Sequence, residues 1–352
     1  MTGFLPSVEG FAKGTLATVA TLSTVGVGLL YYGQNYLIYP SAFPPGSRTE
    51  VPVPTDFGIP YQPLDLRTED DVQLRCYLLP QRQDLSVTNP EAAVLPTEYE
   101  NDDEFIASRP TVIMFHGNGG NHGHRIPIAK VFFMKMRCNV LMLSYRGYGL
   151  SDGSPSERGL QIDSQTALDY ILADPNFSRS PLARFLTDAF DILYGQSIGG
   201  AVAIDLASRN PTKINALIIE NTFTSLPSVI PHALPLLARV SFLCHQKWDS
   251  ASKIPLIPAT TPILMLSGAK DEIVPKEHMR TLWEAVAKRG EKKTPGGKEY
   301  KTGLERAKFM EFEDGAHNDT CAQTGYWTAV ADFVASLARD EEIEKETSSS
   351  PQ

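Results

Sequence analysis

Phe190-Asp191-Ile192-Leu193-Tyr194-Gly195-Gln196-Ser197-Ile198-Gly199-Gly200-Ala201-Val202-Ala203-Ile204 passes from a mostly apolar run, through a G-x-S-x-G pentapeptide at 195–199, into a helix-like run. A serine hydroxyl is a weak nucleophile unless it stands clear of the fold beside a base. A sharp strand-to-helix turn gives that exposure, and glycine at 195 and 199 removes the Cβ atoms that would clash in it. Ser197 would then sit at the first turn of the following helix, where the Ile198 N–H can point at a developing oxyanion. The competing reading, a glycine-rich turn without chemistry, is weakened by the strand on one side and the helix on the other.

An acid and a histidine must follow in that order, and both do. Thr261 to Gly268 reads as a buried parallel strand, with Asp271 just past its C-terminal end, where sites form in open α/β sheets. After one more helix and the strand Lys308 to Phe312 comes Asp314-Gly315-Ala316-His317-Asn318-Asp319. The order Ser197, Asp271, His317 is that of an α/β-hydrolase. Glu220, at the end of the strand Ala216 to Ile219, is a rival for the acid. Asp271 is preferred because its loop precedes the histidine strand by one helix. Otherwise Glu220 is read as a structural carboxylate bonded to loop N–H groups.

The chain has seven histidines. His122, His124, His232, His245 and His278 lack a strand-end context and read as solvated or packed residues. His116 differs. Pro110 to Asn121 is a strand running into the glycine-rich loop His116-Gly117-Asn118-Gly119-Gly120-Asn121, the position from which a second oxyanion N–H is supplied. His116 and Gly117 are assigned to shaping that loop, and Asn118 to donating its backbone N–H. A phosphate-cradling loop would need a Lys-Ser or Lys-Thr pair after the glycines, and none follows.

These motifs together resemble the fungal bud-emergence (Bem-type) α/β-hydrolases, whose animal relative is α/β-hydrolase domain-containing protein 13. The residues carrying the resemblance are H-G-N-G-G-N at 116–121, S-Y-R-G-Y-G-x-S-x-G-x-P-S-E-x-G-L at 144–160, G-Q-S-I-G-G at 195–200 and E-N-T-F at 220–223. To these add K-W-D-S at 247–250, S-G-x-K-D-E-x-V-P at 267–275 and G-x-H-N-D-T at 315–320. The likeness runs from about residue 10 to 338. It implies a membrane-anchored serine hydrolase of the S9-like superfamily, with Ser197, Asp271 and His317 at the family's catalytic positions. It implies no particular substrate, because relatives act on lipid esters, acyl-thioesters and peptides.

The expected fold is an α/β-hydrolase: a mostly parallel eight-stranded sheet with helices on both faces, a short cap and an N-terminal transmembrane helix. At 352 residues and 42% hydrophobic, the chain has enough apolar material for one large core with appendages. A net charge of −9 with no basic stripe argues against a nucleic-acid surface. Cys76, Cys138, Cys244 and Cys321 lack metal-type spacing and read as buried thiols, an even count leaving a lumenal disulfide open. No metal or cofactor is implied.

Gly14 to Tyr32 carries no charge and is just long enough to span a bilayer. Thr15, Thr18, Thr21 and Thr24 mark a polar stripe along it, although threonine can bond back into its own helix. An uncleaved anchor over residues 1–35, with its helix at about 12–32, is favoured over a signal peptide because no small-x-small site follows. Lys13 before it and Arg48 after it give a slight bias towards a cytosolic N-terminus. The expected location is the endoplasmic reticulum or plasma membrane. Tyr31, Tyr32, Tyr36 and Tyr39 suit the headgroup level.

A Pro-rich connector is expected over 36–63 and the hydrolase domain over 64–339. Within the domain lie an acidic, flexible insertion at 81–109, a short cap at 221–259 with one apolar helix over Pro231 to Val240, and a basic loop at 288–308. The tail at 340–352 reads as disordered. Arg146 either binds an anionic substrate group or, in the preferred reading, ties loops together. Asn176-Phe177-Ser178 and Asn318-Asp319-Thr320 are glycosylation sequons, and Asn318 is expected to be unmodified because it abuts His317.

Three functions fit. The first is a membrane-tethered esterase, lipase or acyl-protein thioesterase acting through an acyl-enzyme, with the bilayer and an acyl ester, acyl thioester or lipidated protein as partners. The second is an S9-like serine peptidase, which would normally bring a larger gating domain. The third is a non-catalytic membrane interaction protein that keeps a hydrolase shell.

Overall fold

The computed structural model describes residues 8–95, 99, 101–177, 191–290 and 303–349, with side chains to Leu337. Most of the expected basic loop, 291–302, lies outside the described residues, as does Ser178 of the first sequon.

Among the described residues, eight strands form one sheet: β1 (Gln62–Arg67), β2 (Gln73–Leu79), β3 (Thr111–Phe115), β4 (Asn139–Leu143), β5 (Asp191–Gln196), β6 (Ala216–Glu220), β7 (Ile263–Gly268) and β8 (Ala307–Phe312). Their order is β1-β2-β4-β3-β5-β6-β7-β8, antiparallel at β1/β2 and β2/β4 and parallel elsewhere. β3, β4, β5, β6 and β7 are buried along their whole length, as unbroken apolar runs in parallel strands require. Alternate residues serve opposite faces. Ile113, Leu141, Leu193 and Leu217 belong to one core, and Val112, Val140, Ile192 and Ile218 to the other.

The helices are α1 (Val8–Ile38), α2 (Leu85–Thr88), α3 (Asp102–Ala107), α4 (Ile126–Met134), α5 (Glu157–Ala173), α6 (Ile198–Arg209), α7 (Leu226–Ala233), α8 (Ser250–Lys253), α9 (Glu277–Val286) and α10 (Tyr326–Ser349). α5, α6 and α9 cover the first face through residues such as Leu168, Val202 and Leu282, and α4 and α10 the second through Phe132 and Val330. Helices thus lie on both faces.

α1 is longer than the expected 12–32. Its 31 residues span about 46 Å at 1.5 Å per residue, against about 30 Å of bilayer hydrocarbon. By length and composition it can cross a membrane. The polar stripe is satisfied internally: Thr15, Thr18, Thr21 and Thr24 donate to the carbonyls of Phe11, Gly14, Ala17 and Ala20. The helix continues past residue 35 because nothing breaks it before Pro40, and because Gln34 finds partners on the body of the protein. Its amide bonds to Tyr31 O and His245 Nδ1, and its carbonyl oxygen accepts from His245 N.

The connector is therefore not a loose tether. Tyr39 is buried rather than at headgroup level: the Trp248 indole donates to its hydroxyl at 2.9 Å, and that hydroxyl donates to Gln246. Pro54–Phe57 forms a 3-10 turn.

Three further expectations change. The insertion 81–109 holds α2 and α3 and buries Leu85, Ala92 and Phe105. Its organiser is the buried Arg137, which donates to Gln81 Oε1, Arg82 O and Ala93 O and lies 5.4 Å from the Phe105 ring centroid. One guanidinium satisfied by an amide oxygen and two backbone carbonyls gathers the segment despite its acidic surface. The cap is two pieces, α7 and a 3-10 stretch Pro235–Leu243. Leu234, at φ −136° and ψ 71°, is non-helical between them because the following proline disfavours helical backbone there. Residues 340–349 continue α10 rather than forming a disordered tail, since glutamate and lysine are good helix formers.

All four cysteines are free thiols, Cys76, Cys138 and Cys244 buried and Cys321 partly so.

Arg146 has the structural role. Its side chain is 8% exposed and bonds Asp163 through Nε at 2.8 Å and Asp70 through both terminal nitrogens. The guanidinium holds Asp70 well below the usual carboxylate range, whereas burial pushes Asp163 up to about 6 against the same guanidinium's pull. Removing one member of a buried ionic cluster leaves the others unpaired. Arg146→Ala is expected to lose about 3 to 5 kcal/mol in chemical denaturation. A loss under about 1 kcal/mol would mean that water replaces the guanidinium.

Candidate active site

The chain leaves β3, moves outward to β4, and returns across β3 to form β5, so the loops after β3 and β5 part at a crevice over the strand ends. Ser197 follows β5 directly, with φ 56° and ψ −121°, a conformation costly for a residue with a Cβ. Two bonds hold it: Ser197 N donates to Glu220 O at 2.9 Å, and Thr222 Oγ1 donates to Ser197 O at 2.7 Å.

The glycines are required by contact. A Cβ on Gly195 would fall closer than 3.0 Å to Gly199 C and O, and one on Gly199 closer than 3.0 Å to Phe115 O and His116 O. Because those are backbone atoms of the central sheet and its loop, Gly199→Ala is expected to cost at least about 3 kcal/mol in denaturant titration. Retention of wild-type stability would show that β3 can retreat.

His317 Nε2 lies 3.1 Å from Ser197 Oγ, and His317 Nδ1 lies 2.7 Å from Asp271 Oδ2. The other carboxylate oxygen, Oδ1, accepts from Ile273 N at 2.9 Å and Val274 N at 2.7 Å. Asp271 is therefore fixed by its own loop, with one oxygen reserved for the imidazole. The three residues that the sequence places on separate strand-end loops form one continuous chain of hydrogen bonds.

Ile198 opens α6, so its N–H has no acceptor inside the helix. Asn118 and Gly117 lie with Ile198, Ser197 and His317 in the wall of one cavity of about 440 Å³. The Asn118 side chain is spent on structure: it accepts from Tyr148 OH at 2.6 Å and donates to Ile38 O, the last carbonyl of α1. His116 stands behind the loop. It is buried, its Nδ1–H donates to Gly117 O at 2.7 Å, and its ring packs on Tyr145 and Tyr148. Burial lowers its pKa to about 3, so the ring stays neutral.

Glu220 does not reach His317. Buried, it accepts from Tyr194 OH at 2.7 Å and Tyr326 OH at 2.6 Å, both on Oε2. Its partners are tyrosines, not the expected loop N–H groups. Burial raises its pKa.

Two positioning residues escaped the sequence reading. Gln196 Nε2 donates to His317 O at 3.0 Å. Asn221, at φ 46°, donates to Ala316 O, His317 O and Thr320 Oγ1 and accepts from Gly268 N, so one amide ties the acid strand to the histidine loop. The available signal was an asparagine directly after a buried strand, the residue that tolerates left-handed backbone. Also unforeseen are Arg125, which brings a guanidinium to the cavity wall, and Leu37 and Ile38 of α1, which form part of it. Asn318 lines the same cavity, where a glycan would fill the mouth.

Comparison with known proteins agrees with this architecture. Residues 110–241 match the family profile described as the alpha/beta hydrolase fold. Among solved structures, the Pyrococcus furiosus esterase Pf2001 superposes with a TM-score of 0.57 at 16% identity, over 82% of this chain and 98% of its own. An α/β-hydrolase from Vibrio vulnificus gives 0.59 at 17% identity, over 85% and 92%. Both likenesses are of fold. In sequence, the chain is 36% identical to the membrane protein YNL320W of Saccharomyces cerevisiae, over 92% of this chain and 96% of that protein. It is 42% identical to protein bem46 of Schizosaccharomyces pombe, over 92% of both. With likeness at that level running nearly end to end, the chain belongs to the Bem-type family of α/β-hydrolases.

Proposed function

We propose that this protein is a membrane-anchored serine hydrolase that cleaves carboxylic esters or thioesters, of lipids or of acylated proteins, through an acyl-enzyme. The observation that carries the reading is the hydrogen-bond chain Ser197 to His317 to Asp271, at 3.1 and 2.7 Å, opening into a 440 Å³ cavity. The cavity wall is apolar beyond the serine, with Phe223, Val229, Ile230 and Val274 among its residues, which suits an acyl chain.

His317, with its Nδ1–H given to Asp271, presents an unprotonated Nε2 to the serine hydroxyl and takes its proton as Ser197 Oγ bonds to the carbonyl carbon. The N–H groups of Ile198 and Asn118 hold the oxygen on which charge develops. His317 returns the proton to the departing alcohol or thiol as its bond to the acyl carbon breaks. A water molecule, deprotonated by His317, then attacks the acyl-enzyme and releases the carboxylic acid and free Ser197. Helix α1 keeps the domain at the bilayer.

The test is turnover by the full-length protein in detergent micelles on a panel of acyl esters and acyl thioesters of graded chain length, with a peptide amide series in parallel. Ester or thioester turnover is expected. Folded protein inactive on every acyl substrate would remove the proposal, and cleavage of amides alone would replace it with a peptidase.

A further inference from the structure

The catalytic cavity is not closed on the side of α1. Leu37 and Ile38 from the last turn of α1, and Ile230 and Leu234 from the cap, line it. The same four residues line a narrower groove of about 50 Å³, which continues between α1 and the cap to Leu30, Leu237 and Val240. The two cavities share four wall residues and therefore adjoin, and together they run along the helix long enough to cross a bilayer. From Ile38 to Leu30 is eight residues of helix, or about 12 Å.

Three observations indicate what fills it. First, the groove wall is apolar apart from Gln34 and Ser241, and the Gln34 amide is already bonded to Tyr31 and His245. Second, its far end lies within the uncharged stretch of α1, since the chain carries no Asp, Glu, Lys or Arg between Lys13 and Arg48. Third, the outer surface of the cap is built for hydrocarbon and headgroups: Leu236 is 99% exposed, Phe242 73% and, on α1 alongside, Tyr36 86%. Arg239 is the single charged residue from Asn221 to Gln246, and a lone arginine can keep its guanidinium at the headgroups while its stem lies among the chains. A water-facing cap would not present leucine and phenylalanine in this way.

We infer that the cleft between α1 and the cap is a lateral passage through which the acyl chain of a bilayer amphiphile reaches Ser197 without leaving the membrane. The inference rests on the hydrolase reading for what happens at the serine, and deepens it by naming the substrate class: a membrane-resident lipid ester with a long chain. The carbonyl sits at Ser197, and the chain lies along Ile38, Leu234 and Val240, with its end near Leu30. Asn118 links the two functions structurally, because it caps the last carbonyl of α1 from within the oxyanion loop. The anchor is thus one wall of the site as well as a tether.

The test uses the full chain carrying Ser197→Ala, reconstituted in phosphatidylcholine vesicles with a trace of a monopalmitoyl glycerol ester that bears a diazirine at its chain end. After photolysis, adducts are mapped by peptide mass spectrometry. Adducts are expected to concentrate on residues 30–38 and 234–243, and Val240→Trp, which fills the groove, is expected to reduce them at least tenfold. With Ser197 intact, the same substitution should lower the ratio of vesicle-borne palmitoyl ester turnover to soluble butyryl ester turnover at least tenfold. Adducts spread evenly along α1 and unaltered by Val240→Trp would overturn the passage. So would adducts formed only from a diazirine-palmitoylated peptide added in buffer, which would put an acylated protein in the lipid's place. The map in the unplugged groove decides the matter even where Val240→Trp does not fold. Fluorophosphonate labelling of the wild type, run in parallel, separates the two readings: groove adducts on a protein that never labels would keep the lipid passage and remove the hydrolase.

Discussion

Ser197→Ala is expected to abolish fluorophosphonate labelling and to lower ester turnover by about 10⁶-fold, while leaving the fold in place. The size follows from the role, because without the hydroxyl no acyl-enzyme forms and only binding and the oxyanion donors still act on the substrate. The fold survives because alanine accepts the same backbone that serine already occupies, and because the hydroxyl makes one hydrogen bond, to His317 at the cavity wall. The change in unfolding free energy should be within about 1 kcal/mol. His317→Ala should lose about as much turnover, and the double variant should be no worse than either, since a nucleophile and its base work as a unit. A Ser197→Ala protein that still labels would place the nucleophile elsewhere. Full activity losses that simply multiplied in the double variant would mean that Ser197 and His317 act independently, against the 3.1 Å geometry.

The parts of this site that were legible in the sequence are those whose signal is local. Gly195 and Gly199 bracket Ser197 because a five-residue turn needs them, and that need is written within the turn. Asp271 comes shortly after the buried strand β7 and His317 shortly after the edge strand β8, and the end of a parallel strand is where side chains meet in this fold. The illegible parts depend on distant segments. Nothing in residues 30–38 says that their last turn forms a wall of a cavity around residue 197. An uncharged run that suits a bilayer also suits an apolar pocket, and it is the Ile38 O to Asn118 contact and the place of Leu37 and Ile38 in the cavity wall that show this helix end serving the second. The acidic insertion read as flexible because its charges dominate its composition, whereas its order comes from Arg137, outside the segment and buried beneath it. Glu220 read as a rival acid because its strand-end position is as good as that of Asp271. What disqualifies it is its placement: its Oε2 is turned to Tyr194 and Tyr326, and the imidazole of His317 is bonded to Asp271 instead.

That competition yields the second large effect. Asp271→Asn is expected to cost about 10⁴-fold in turnover with little change in geometry, and Glu220→Gln less than about tenfold. In the asparagine variant, the carbonyl oxygen stays with Ile273 N and Val274 N, which need an acceptor, so the new amide nitrogen faces His317 Nδ1. Two donors cannot share a hydrogen bond, so Nδ1 must become the acceptor and the ring proton moves to Nε2. That nitrogen then donates to Ser197 Oγ instead of taking its proton, and the base is lost although every heavy atom remains. Glu220→Gln has no such lever. One carbonyl oxygen can accept both tyrosine hydroxyls as Oε2 does, and the bonds of the His317 ring run to Ser197 and Asp271, so the substitution leaves them in place. The check is kcat for both variants on one ester, with melting temperatures to show that each is folded. If the losses came out reversed, Glu220 would be the acid that orients His317, and the 2.7 Å contact with Asp271 would not be the one used in the reaction.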